Sequence, residues 1–313
     1  MTKALPSFPF PVKINELLAP YTYFKIGGPA QYLSVVKTTQ DLIGAVQFAL
    51  GVKDLPFRVL GSGSNVLVSD AGLDGLTLIN RAQGIRLIDK SKFILEADSG
   101  TYLSQVVNFS LQHSLAGLAD LLGVPGTVGG AVYNNSHHLN HYLGDQVGSV
   151  ILVNARGQLK QLTVSQLQFS YDSSVFQKTH DTIVSARFSL QPGEPKVLQS
   201  LAASALLHRR QTQPLDLPSS GCLFKNIDQA SATRLHLPSA SAGYLIDHLD
   251  LKGLKVGGAQ VSAVHANFIV NAGQASAADV YQLSETVKAK VQAAYGVELQ
   301  REIFLLGQFS QRL

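Results

Sequence analysis

The chain carries the sequence Gly61-Ser62-Gly63-Ser64-Asn65 directly after an apolar run at 57–60. Two further glycine-rich stretches occur in its first half, Lys25-Ile26-Gly27-Gly28 and Pro125-Gly126-Thr127-Val128-Gly129-Gly130. Glycine lets a backbone approach a ligand closely and adopt positive φ, so that its N–H groups converge on anionic oxygens. A single such stretch is usually an ordinary turn. Three of them beside apolar runs indicate a cofactor whose pyrophosphate lies across several loops.

Strand and helix patterns lead into the 61–65 loop. Residues 33–37 and 57–60 are predicted to be short strands, and Thr38 with Asp41 forms a capping-box pattern between them. Apolar residues then recur at helical spacing at Leu42, Val46, Ala49 and Leu50. A glycine loop at a strand end in an α/β unit is a common phosphate site. The loop lacks both the dinucleotide-binding spacing and a P-loop lysine, which disfavours a Rossmann enzyme or an NTPase.

The remaining pattern alternates between short strands and helices. Strands are predicted at 76–79, 85–88, 93–97, 150–153, 159–162, 182–190, 261–263, 268–271 and 303–306. Helices are predicted from Leu103 to Leu111, from Val197 to Leu206, and from Val280 to Val291 with Gly296 at the C′ position. The Pro- and Gly-rich residues 191–196 are the clearest linker candidate.

The composition limits the class of protein. A hydrophobic content of 45% with 15% charged residues in a chain of 313 residues is typical of globular enzymes and excludes disorder. The net charge is +4 without a dense Lys/Arg run, so neither nucleic acid nor a membrane surface is an expected partner. One cysteine, Cys222, excludes an internal disulfide and suits a reducing compartment. Without a signal peptide or an apolar run of about 18 residues, the predicted location is cytoplasmic.

Several motifs, in their order and spacing, resemble one family of flavoenzymes, the UDP-N-acetylenolpyruvoylglucosamine reductases, also called UDP-N-acetylmuramate dehydrogenases. The similarity runs from about Tyr21 to about Gly307. Its segments are Tyr23-Phe24-Lys25-Ile26-Gly27-Gly28, the run from Leu60 to Asp70, the run from Gly123 to Ala131, Gly221-Cys222-Leu223-Phe224-Lys225-Asn226, Ala242-Gly243-Tyr244-Leu245-Ile246-Asp247, His265-Ala266-Asn267-Phe268-Ile269-Val270-Asn271 and Gly296-Val297-Glu298-Leu299-Gln300-Arg301-Glu302.

The resemblance implies an α+β fold. It consists of a two-lobed FAD-binding domain of the vanillyl-alcohol-oxidase type and a C-terminal α+β substrate-binding domain. We expect the two FAD-binding subdomains at residues 1–75 and 76–192 and the C-terminal domain at 197–313.

The resemblance also implies an activity, that of an NADPH-dependent flavoprotein reductase with non-covalent FAD. Such an enzyme reduces UDP-N-acetylglucosamine enolpyruvate to UDP-N-acetylmuramate in peptidoglycan precursor synthesis, and thereby serves cell wall biogenesis, cell shape and cell division. The expected partners are the enolpyruvyl substrate and NADPH, and a monomer is expected. The sequence does not distinguish NADPH from NADH.

The resemblance assigns binding residues to the matched motifs. The predicted FAD-binding residues are Gly27, Gly61, Ser62, Gly63, Ser64, Asn65, Pro125, Gly126, Thr127, Gly129 and Gly130. The predicted substrate-binding residues are Lys225, Asn226, Tyr171 and Tyr244. Considered without the motif, a lysine such as Lys225 is most often a solvated surface charge.

Two residues are assigned catalytic roles. Cys222 stands where the family has a serine proton donor, and a thiol with a pKa of about 8.5 is a competent acid. The alternative for Cys222 is a small buried hydrophobic residue. Glu302 matches the family's C-terminal glutamate, which is expected to hydrogen-bond the enediolate in its protonated form. The alternative for Glu302 is an exposed charge at a strand end.

One departure concerns the family's Tyr-Arg-x-Ser-x-Phe segment, which here reads Tyr171-Asp172-Ser173-Ser174-Val175-Phe176. The family arginine that helps to polarise the substrate carboxylate is replaced by Asp172, which cannot stabilise negative charge. The candidates for a replacement cation are Lys225, Arg209, Arg210 and Arg234. If none of them serves, the chain is a flavin-binding homologue that has lost catalysis.

Two other readings stay open. His137, His138 and His141 cluster in sequence, but a polar loop near the flavin is a better reading than a metal site, so no metal is predicted. The main rival function is another FAD-dependent oxidoreductase of the same superfamily, acting on an alcohol or a hydroxy acid, often with a covalently attached flavin.

Overall fold

The structure is a computed structural model that describes residues 7–309. Within this range the chain forms two compact units. Unit 1 contains residues 7–15, Gln31–Ser62 and Gly75–Arg209, and unit 2 contains Glu16–Ala30, Gly63–Asp74 and 210–309. The three-domain division at 1–75, 76–192 and 197–313 stays a prediction, and its ends at 1–6 and 310–313 lie outside the described residues.

Strands and helices alternate along the whole chain. The strands are β1 Lys13–Leu17, β2 Pro29–Val36, β3 Phe57–Leu60, β4 Val66–Val68, β5 Leu73–Asn80, β6 Ile85–Asp89, β7 Ile94–Asp98, β8 Leu115–Ala116, β9 His137–His138, β10 His141–Tyr142, β11 Val147–Val153, β12 Leu159–Thr163, β13 Thr182–Ser189, β14 Gln191–Pro192, β15 Ser219–Cys222, β16 Lys255–Val256, β17 Ala259–Val261, β18 Phe268–Asn271 and β19 Phe304–Leu306. The helices are α1 Thr39–Gly51, α2 Leu103–Gln112, α3 Val128–Asn134, α4 Val164–Leu167, α5 Phe176–Thr179, α6 Pro195–Thr212, α7 Gln229–Arg234, α8 Ala242–Asp247 and α9 Ala277–Tyr295.

Unit 1 has two separate hydrophobic cores. In the first, Leu42, Val46 and Ala49 of α1 pack with Leu76 and Leu78 of β5. β5 pairs in parallel with β3, in a four-stranded sheet of order β1-β2-β5-β3. The second core surrounds a five-stranded sheet of order β12-β11-β13-β7-β6, with α2 and α3 packed on it. The two cores agree with a two-lobed domain.

Unit 2 has one core around α9. Val280, Leu283, Val287 and Val291 of this helix are buried together with β17 and β18. These strands belong to a four-stranded antiparallel sheet of order β15-β18-β17-β16. A separate parallel pair joins β19 to β4. The Val280–Val291 stripe is therefore core, as helical spacing predicts.

Local capping signals are confirmed at α1 and α9. The Thr38 side chain accepts a hydrogen bond from Asp41 N at 3.0 Å, and the Asp41 carboxylate accepts one from Thr38 N at 3.2 Å. α9 begins with the same reciprocal pair at Ser276 and Asp279. It ends at Gly296, whose φ of +69° is the left-handed conformation that glycine adopts at low cost.

The predicted linker at 191–196 is wrong. Gln191 and Pro192 form β14, which pairs antiparallel with β8, and Gly193 N donates to Ser114 O at 2.8 Å. α6 then begins at Pro195, because a proline in the first helical turn needs no N–H donor. The predicted strand at 261–263 is shifted as well, since β17 covers Ala259–Val261.

Candidate active site

In unit 1, the two predicted phosphate loops meet at Gly61 and Thr127. A Cβ at Gly61 would collide with Thr127 Oγ1, so the absence of a side chain at Gly61 is a steric requirement. Thr127 is buried. The Arg81 guanidinium stabilises the loop by donating a hydrogen bond to Gly61 O at 2.7 Å. Gly61 and Thr127 are thus in direct contact, and they bring the two predicted loops together.

Ser62, the next residue, carries an unusual hydroxyl. Its Oγ is buried and has no hydrogen-bond partner among the residues described. Buried hydroxyls nearly always have a partner, and burial of one without a hydrogen bond costs about 1–3 kcal/mol. A hydroxyl left in this state beside a glycine loop is suited to donate to a bound anion.

The rest of the Pro125–Gly130 loop is hydrogen-bonded to the first residue of α2 and to Ser99, which directly follows β7. Gly126 O accepts from Leu103 N at 3.0 Å, and Gly129 N donates to Ser99 O at 2.8 Å. A Cβ at Gly129 would lie 3.0 Å from Ser99 Cβ, whereas one at Gly130 would have ample space. Close approach therefore explains Gly129 and not Gly130.

The predicted cofactor residues Gly27, Gly63, Ser64 and Asn65 belong to unit 2 and have contacts there. Gly63 has φ +68° and its carbonyl accepts from Tyr23 N at 3.1 Å. Asn65 Nδ2 donates to Glu302 O at 3.4 Å, and Asn65 O accepts from Phe304 N at 3.0 Å. Gly27 lies against Val68 and Leu18, where a Cβ would come within 3.1 and 3.2 Å of theirs. The Asn65 side chain therefore contacts the backbone of Glu302, a predicted catalytic residue.

Cys222 and Glu302 lie on two backbone segments that pair with each other in unit 2. Leu223, next to Cys222, accepts from Glu302 N at 2.8 Å, and Lys225 N donates to Gln300 O at 2.9 Å. Phe224 and Arg301 form an antiparallel bridge between these bonds. Residues separated by about 80 positions, including the backbones of both predicted catalytic residues, are thereby brought into one small region of the unit.

Asn267, a residue that the sequence analysis did not single out as functional, holds the Cys222 segment from the other side. Its backbone O accepts from Leu223 N at 2.7 Å, and its side chain bonds Phe224 twice, Oδ1 accepting from Phe224 N at 3.0 Å and Nδ2 donating to Phe224 O at 2.7 Å. Asn267 is 3% exposed. Its presence in the matched His265–Asn271 segment was the only sequence signal.

Arg301 anchors the Glu302 segment to α9. Its Nη2 donates to Ser284 Oγ at 2.8 Å and forms a short ion pair with Glu285, while its guanidinium carbon lies 4.8 Å from the centre of the Tyr281 ring. A guanidinium held by a hydroxyl, a carboxylate and an aromatic face has little rotational freedom. This contact fixes the residue directly before Glu302.

The remaining predicted substrate residues of unit 2 cluster around α8. Asn226 Oδ1 accepts from Ala242 N at 3.1 Å and thus ties the end of the Cys222–Asn226 segment to the start of that helix. Tyr244, in the first turn, is 38% exposed and stacks on His248 with ring centres 3.7 Å apart. Lys225 is partly buried.

In unit 1, Asp172 contacts a histidine. Asp172 is 7% exposed and has φ +49°, and its Oδ1 lies 3.5 Å from His137 Nδ1. Burial lowers the pKa of His137 below its usual value, and the charge of Asp172 opposes this shift. The ring of Tyr171 lies 5.3 Å from that of His137. Nothing in the sequence pattern indicates this pair.

The other two clustered histidines have separate partners. His138 Nδ1 lies 3.0 Å from Asp120 O, and its Nε2 lies 3.2 Å from His208 Nδ1. Burial lowers the pKa of His138, and the positive charge of Arg209 adds to the effect. His141 Nδ1 lies 3.6 Å from Asp120 Oδ2. Between residues 7 and 309, no group of three or more His, Cys, Asp or Glu side chains is arranged to hold a metal ion.

The arginines that could replace the family arginine differ in burial and in hydrogen-bond partners. Arg209 is 9% exposed on α6, and a Cβ at Gly123 would lie 3.2 Å from its Cδ. Arg234, at the end of α7, donates to Ser231 Oγ at 3.1 Å. Arg210 is exposed.

Comparisons with known sequences identify related proteins for both parts of the chain. A family model described as an FAD binding domain matches residues 30–163, and one described as the C-terminal domain of UDP-N-acetylenolpyruvoylglucosamine reductase matches residues 213–306. The enzyme of that name from Chlamydia pneumoniae is 35% identical over 98% of this chain and 96% of its own length. One from Synechococcus sp. (strain WH7803) is 39% identical over 93% and 91%.

A solved structure supports the same relationship. The crystal structure of the reductase from Thermus caldophilus superposes with a TM-score of 0.79 at 32% identity and covers 95% of this chain and 99% of its own. The chain belongs to the UDP-N-acetylenolpyruvoylglucosamine reductase family. The predicted α+β fold, with an FAD-binding part followed by a C-terminal reductase domain, is confirmed. Over the described residues, every helix is too short or too polar to cross a membrane.

Proposed function

We propose that this reductase-family member uses NADPH and FAD to reduce UDP-N-acetylglucosamine enolpyruvate to UDP-N-acetylmuramate, in peptidoglycan precursor synthesis. The observation that carries the proposal is the backbone pairing of the Cys222 segment with the Glu302 segment, seen in the bonds Glu302 N to Leu223 O and Lys225 N to Gln300 O. It brings together the backbone segments that carry the predicted acid and the predicted carboxyl group, in a chain that matches such a reductase over 98% of its residues. We further propose a cytoplasmic location, which the single cysteine supports.

The residues of unit 1 fit an FAD pyrophosphate. Gly61 has no space for a side chain beside Thr127, and the buried Ser62 hydroxyl has no partner among the described residues. Gly61, Ser62, Gly126 and Thr127 would hold the pyrophosphate through backbone N–H groups and hydroxyls. When bound, FAD supplies the electron transfer from NADPH to the substrate.

Glu302 would stabilise the charge that forms on the substrate. When the enolpyruvyl double bond is reduced, negative charge develops on the conjugated carboxylate as an enediolate. A protonated Glu302 side chain would donate a hydrogen bond to that oxygen, and one such donor contributes about 3–4 kcal/mol to the transition state. The Arg301 anchor to Ser284, Glu285 and Tyr281 would keep Glu302 in place. Lys225, Asn226, Tyr171 and Tyr244 would bind the substrate.

Cys222 would deliver the proton that completes the reduction. Its position next to Leu223 fixes it beside the segment of Glu302. The thiol would protonate the carbon next to the carboxylate, and the thiolate would recover its proton from solvent. A positioned general acid contributes about 10²–10⁴-fold.

A turnover assay with a Glu302→Gln variant tests the proposal. With NADPH and the enolpyruvyl substrate, the wild-type holoenzyme should oxidise NADPH and form UDP-N-acetylmuramate, identified by its mass. Glu302→Gln should reduce turnover by about 10²-fold or more, while NADPH still reduces the flavin at the normal rate. Normal turnover in the variant would remove Glu302 from the mechanism. A wild-type enzyme that consumes no substrate would refute the function.

One observation favours a second candidate, a flavin-binding homologue without catalysis. Asp172 occupies the position of the family arginine, and its carboxylate is buried. This candidate predicts bound FAD, reduction by NADPH and no turnover of the enolpyruvyl substrate.

A further inference from the structure

The contact between His137 and Asp172 joins two segments that are far apart in sequence. His137 lies on β9, immediately after α3, and Asp172 lies on the 168–175 segment before α5. The Asp172 carboxylate is 7% exposed, and the His137 side chain remains 22% exposed. An imidazole that is partly open to solvent is thus backed by a buried carboxylate.

A set of side-chain hydrogen bonds holds these segments together. Asn135 Nδ2 donates to Ser170 O at 3.0 Å, and its Oδ1 accepts from Gly144 N at 2.9 Å. Ser174 Oγ donates to Tyr133 O at 2.7 Å. Gln177 Nε2 donates to Asp172 O at 2.9 Å. Asp172 and His137 are therefore fixed relative to each other by bonds on both sides of each residue.

The contact with Asp172 favours one tautomer of His137. A carboxylate only accepts hydrogen bonds, so the 3.5 Å contact of Asp172 Oδ1 with His137 Nδ1 favours a proton on Nδ1. In that tautomer Nε2 is the ring atom left to bind a ligand. It is an acceptor in the neutral ring and a charged N–H donor after protonation.

The ring of His137 is adjacent to a residue with a proposed ligand contact. Tyr171, directly before Asp172, has its ring centre 5.3 Å from that of His137 and is 39% exposed. Tyr142 of β10 also contacts it, with its ring centre 5.0 Å away. His137 thus contacts two tyrosine rings, one of which the proposed function assigns to substrate binding.

We infer that His137, oriented by Asp172, binds the carboxylate of the substrate through a protonated Nε2, and that substrate binding is coupled to the uptake of one proton. The inference rests on the proposed function. It assigns to an imidazolium the role that a carboxylate at position 172 cannot perform, and it gives Asp172 a positioning role.

Charges around His137 agree with this coupling. In the part of the chain that the structure describes, the ionisable groups seen to contact it are Asp172 and Tyr171 from the 168–175 segment and Tyr142 from β10. The neighbouring His138 contacts Asp120 O and His208 instead. Because burial lowers the pKa of His137, the ring is neutral near pH 7.5 in the free enzyme. An anion at Nε2 stabilises the charged form, so binding draws in a proton.

Titration calorimetry of the oxidised holoenzyme tests the coupling without turnover. UDP-N-acetylglucosamine enolpyruvate is titrated, without NADPH, at pH 7.5 in two buffers of different ionisation enthalpy. The difference between the two binding enthalpies gives the number of protons taken up, expected to approach one. Affinity should fall by up to tenfold per pH unit above neutrality. Binding without proton uptake overturns the inference alone. Absence of any binding overturns the proposed function and, with it, this inference.

Three variants separate a binding role from a structural one. His137→Gln should abolish the proton uptake and weaken binding about 10- to 100-fold, the usual effect of a charge-assisted hydrogen bond. Asp172→Asn should also weaken binding, although it removes a negative charge near an anionic ligand. His141→Gln, in the same loop with its side chain 62% exposed, is the matched control and should bind like the wild type.

The direction of the Asp172→Asn effect is decisive. If Asp172 only repels the substrate, its neutralisation tightens binding, and the inference is overturned. The inference also predicts that Asp172→Asn causes no further loss of affinity once His137 is already Gln. Flavin content and the rate of flavin reduction by NADPH, measured on each variant, identify those with an intact fold. If His137→Gln does not fold, the wild-type proton uptake still decides.

Discussion

At the scale of single residues, Cys222 is the residue whose proposed role, donation of a proton to the substrate, depends most directly on its own side chain. A thiol stands at the end of β15, and the residue after it is hydrogen-bonded to Glu302 N. A serine hydroxyl, the family's group at this position, has a far higher pKa than a thiol, and either one can donate a proton that is drawn off by a basic carbon. If Cys222 is the proton donor, as proposed, the role needs a proton on the terminal atom of the side chain, whether that atom is sulfur or oxygen.

Substitution of Cys222 should separate the two halves of the reaction. Cys222→Ala should leave reduction of the flavin by NADPH unchanged but lower steady-state turnover about 10²–10⁴-fold, since no acid remains. Cys222→Ser is the matched control and should retain most of the turnover. Rapid-mixing absorbance measurements follow both half-reactions. Near-normal turnover of the alanine variant would show that Cys222 is only a packing residue.

At the scale of elements, the sequence predicted what local signals encode. The start of α1 at the Thr38–Asp41 capping box and the end of α9 at Gly296 depend on residues within one turn, and both are confirmed. The assignment of Gln191–Pro192 to a linker failed because its pairing with Leu115–Ala116 is a long-range contact. A strand of two residues is too short to show the alternation of apolar and polar residues by which strands are predicted.

The same limit applies to the candidate site. The glycine loops could be found in the sequence, because a close backbone approach requires glycine at that position. The other motifs could be found because their residues are contiguous in the chain. The contacts of Asn267 with Phe224, of Arg301 with Ser284 and of His137 with Asp172 join distant segments. Those contacts depend on the fold, and single residue types do not indicate their partners.

Two glycines provide a matched test of the cofactor loop. Gly61→Ala should weaken FAD binding at least tenfold, because a Cβ there would collide with the buried Thr127 side chain. Gly44→Ala, on an exposed face of α1 with no atom within 4 Å of the new Cβ, should leave FAD binding unchanged and stabilise the fold by about 0.5–1 kcal/mol. Fluorescence titration of the apoprotein with FAD measures both. Equal FAD affinity in the two variants would contradict the proposed role of the loop.

At the scale of the whole molecule, buried histidines couple stability to pH. Burial lowers the pKa values of His137 and His138 in unit 1 and of His265 in unit 2. His265 Nδ1 also accepts a hydrogen bond from Asn267 N at 3.2 Å, which a protonated Nδ1 cannot do. The unfolded chain therefore binds protons more strongly than the folded one at these positions.

The free energy of unfolding should consequently be highest at and above about pH 7 and fall as the pH drops below the unfolded histidine pKa of about 6.5. Urea unfolding of the holoenzyme at pH 7.5 and at pH 5.5 measures this loss. His265→Gln should lose less stability between the two pH values than the wild type. An equal or larger loss for His265→Gln would contradict the assignment.

The central claim is that this chain reduces the enolpyruvyl group of a UDP-sugar through FAD. The most direct measurement is anaerobic: the flavin of the purified protein is reduced with NADPH, UDP-N-acetylglucosamine enolpyruvate is added, and the flavin absorbance is followed. We predict rapid reoxidation with formation of UDP-N-acetylmuramate. A flavin that stays reduced after the substrate is added would contradict the claim and favour the non-catalytic homologue.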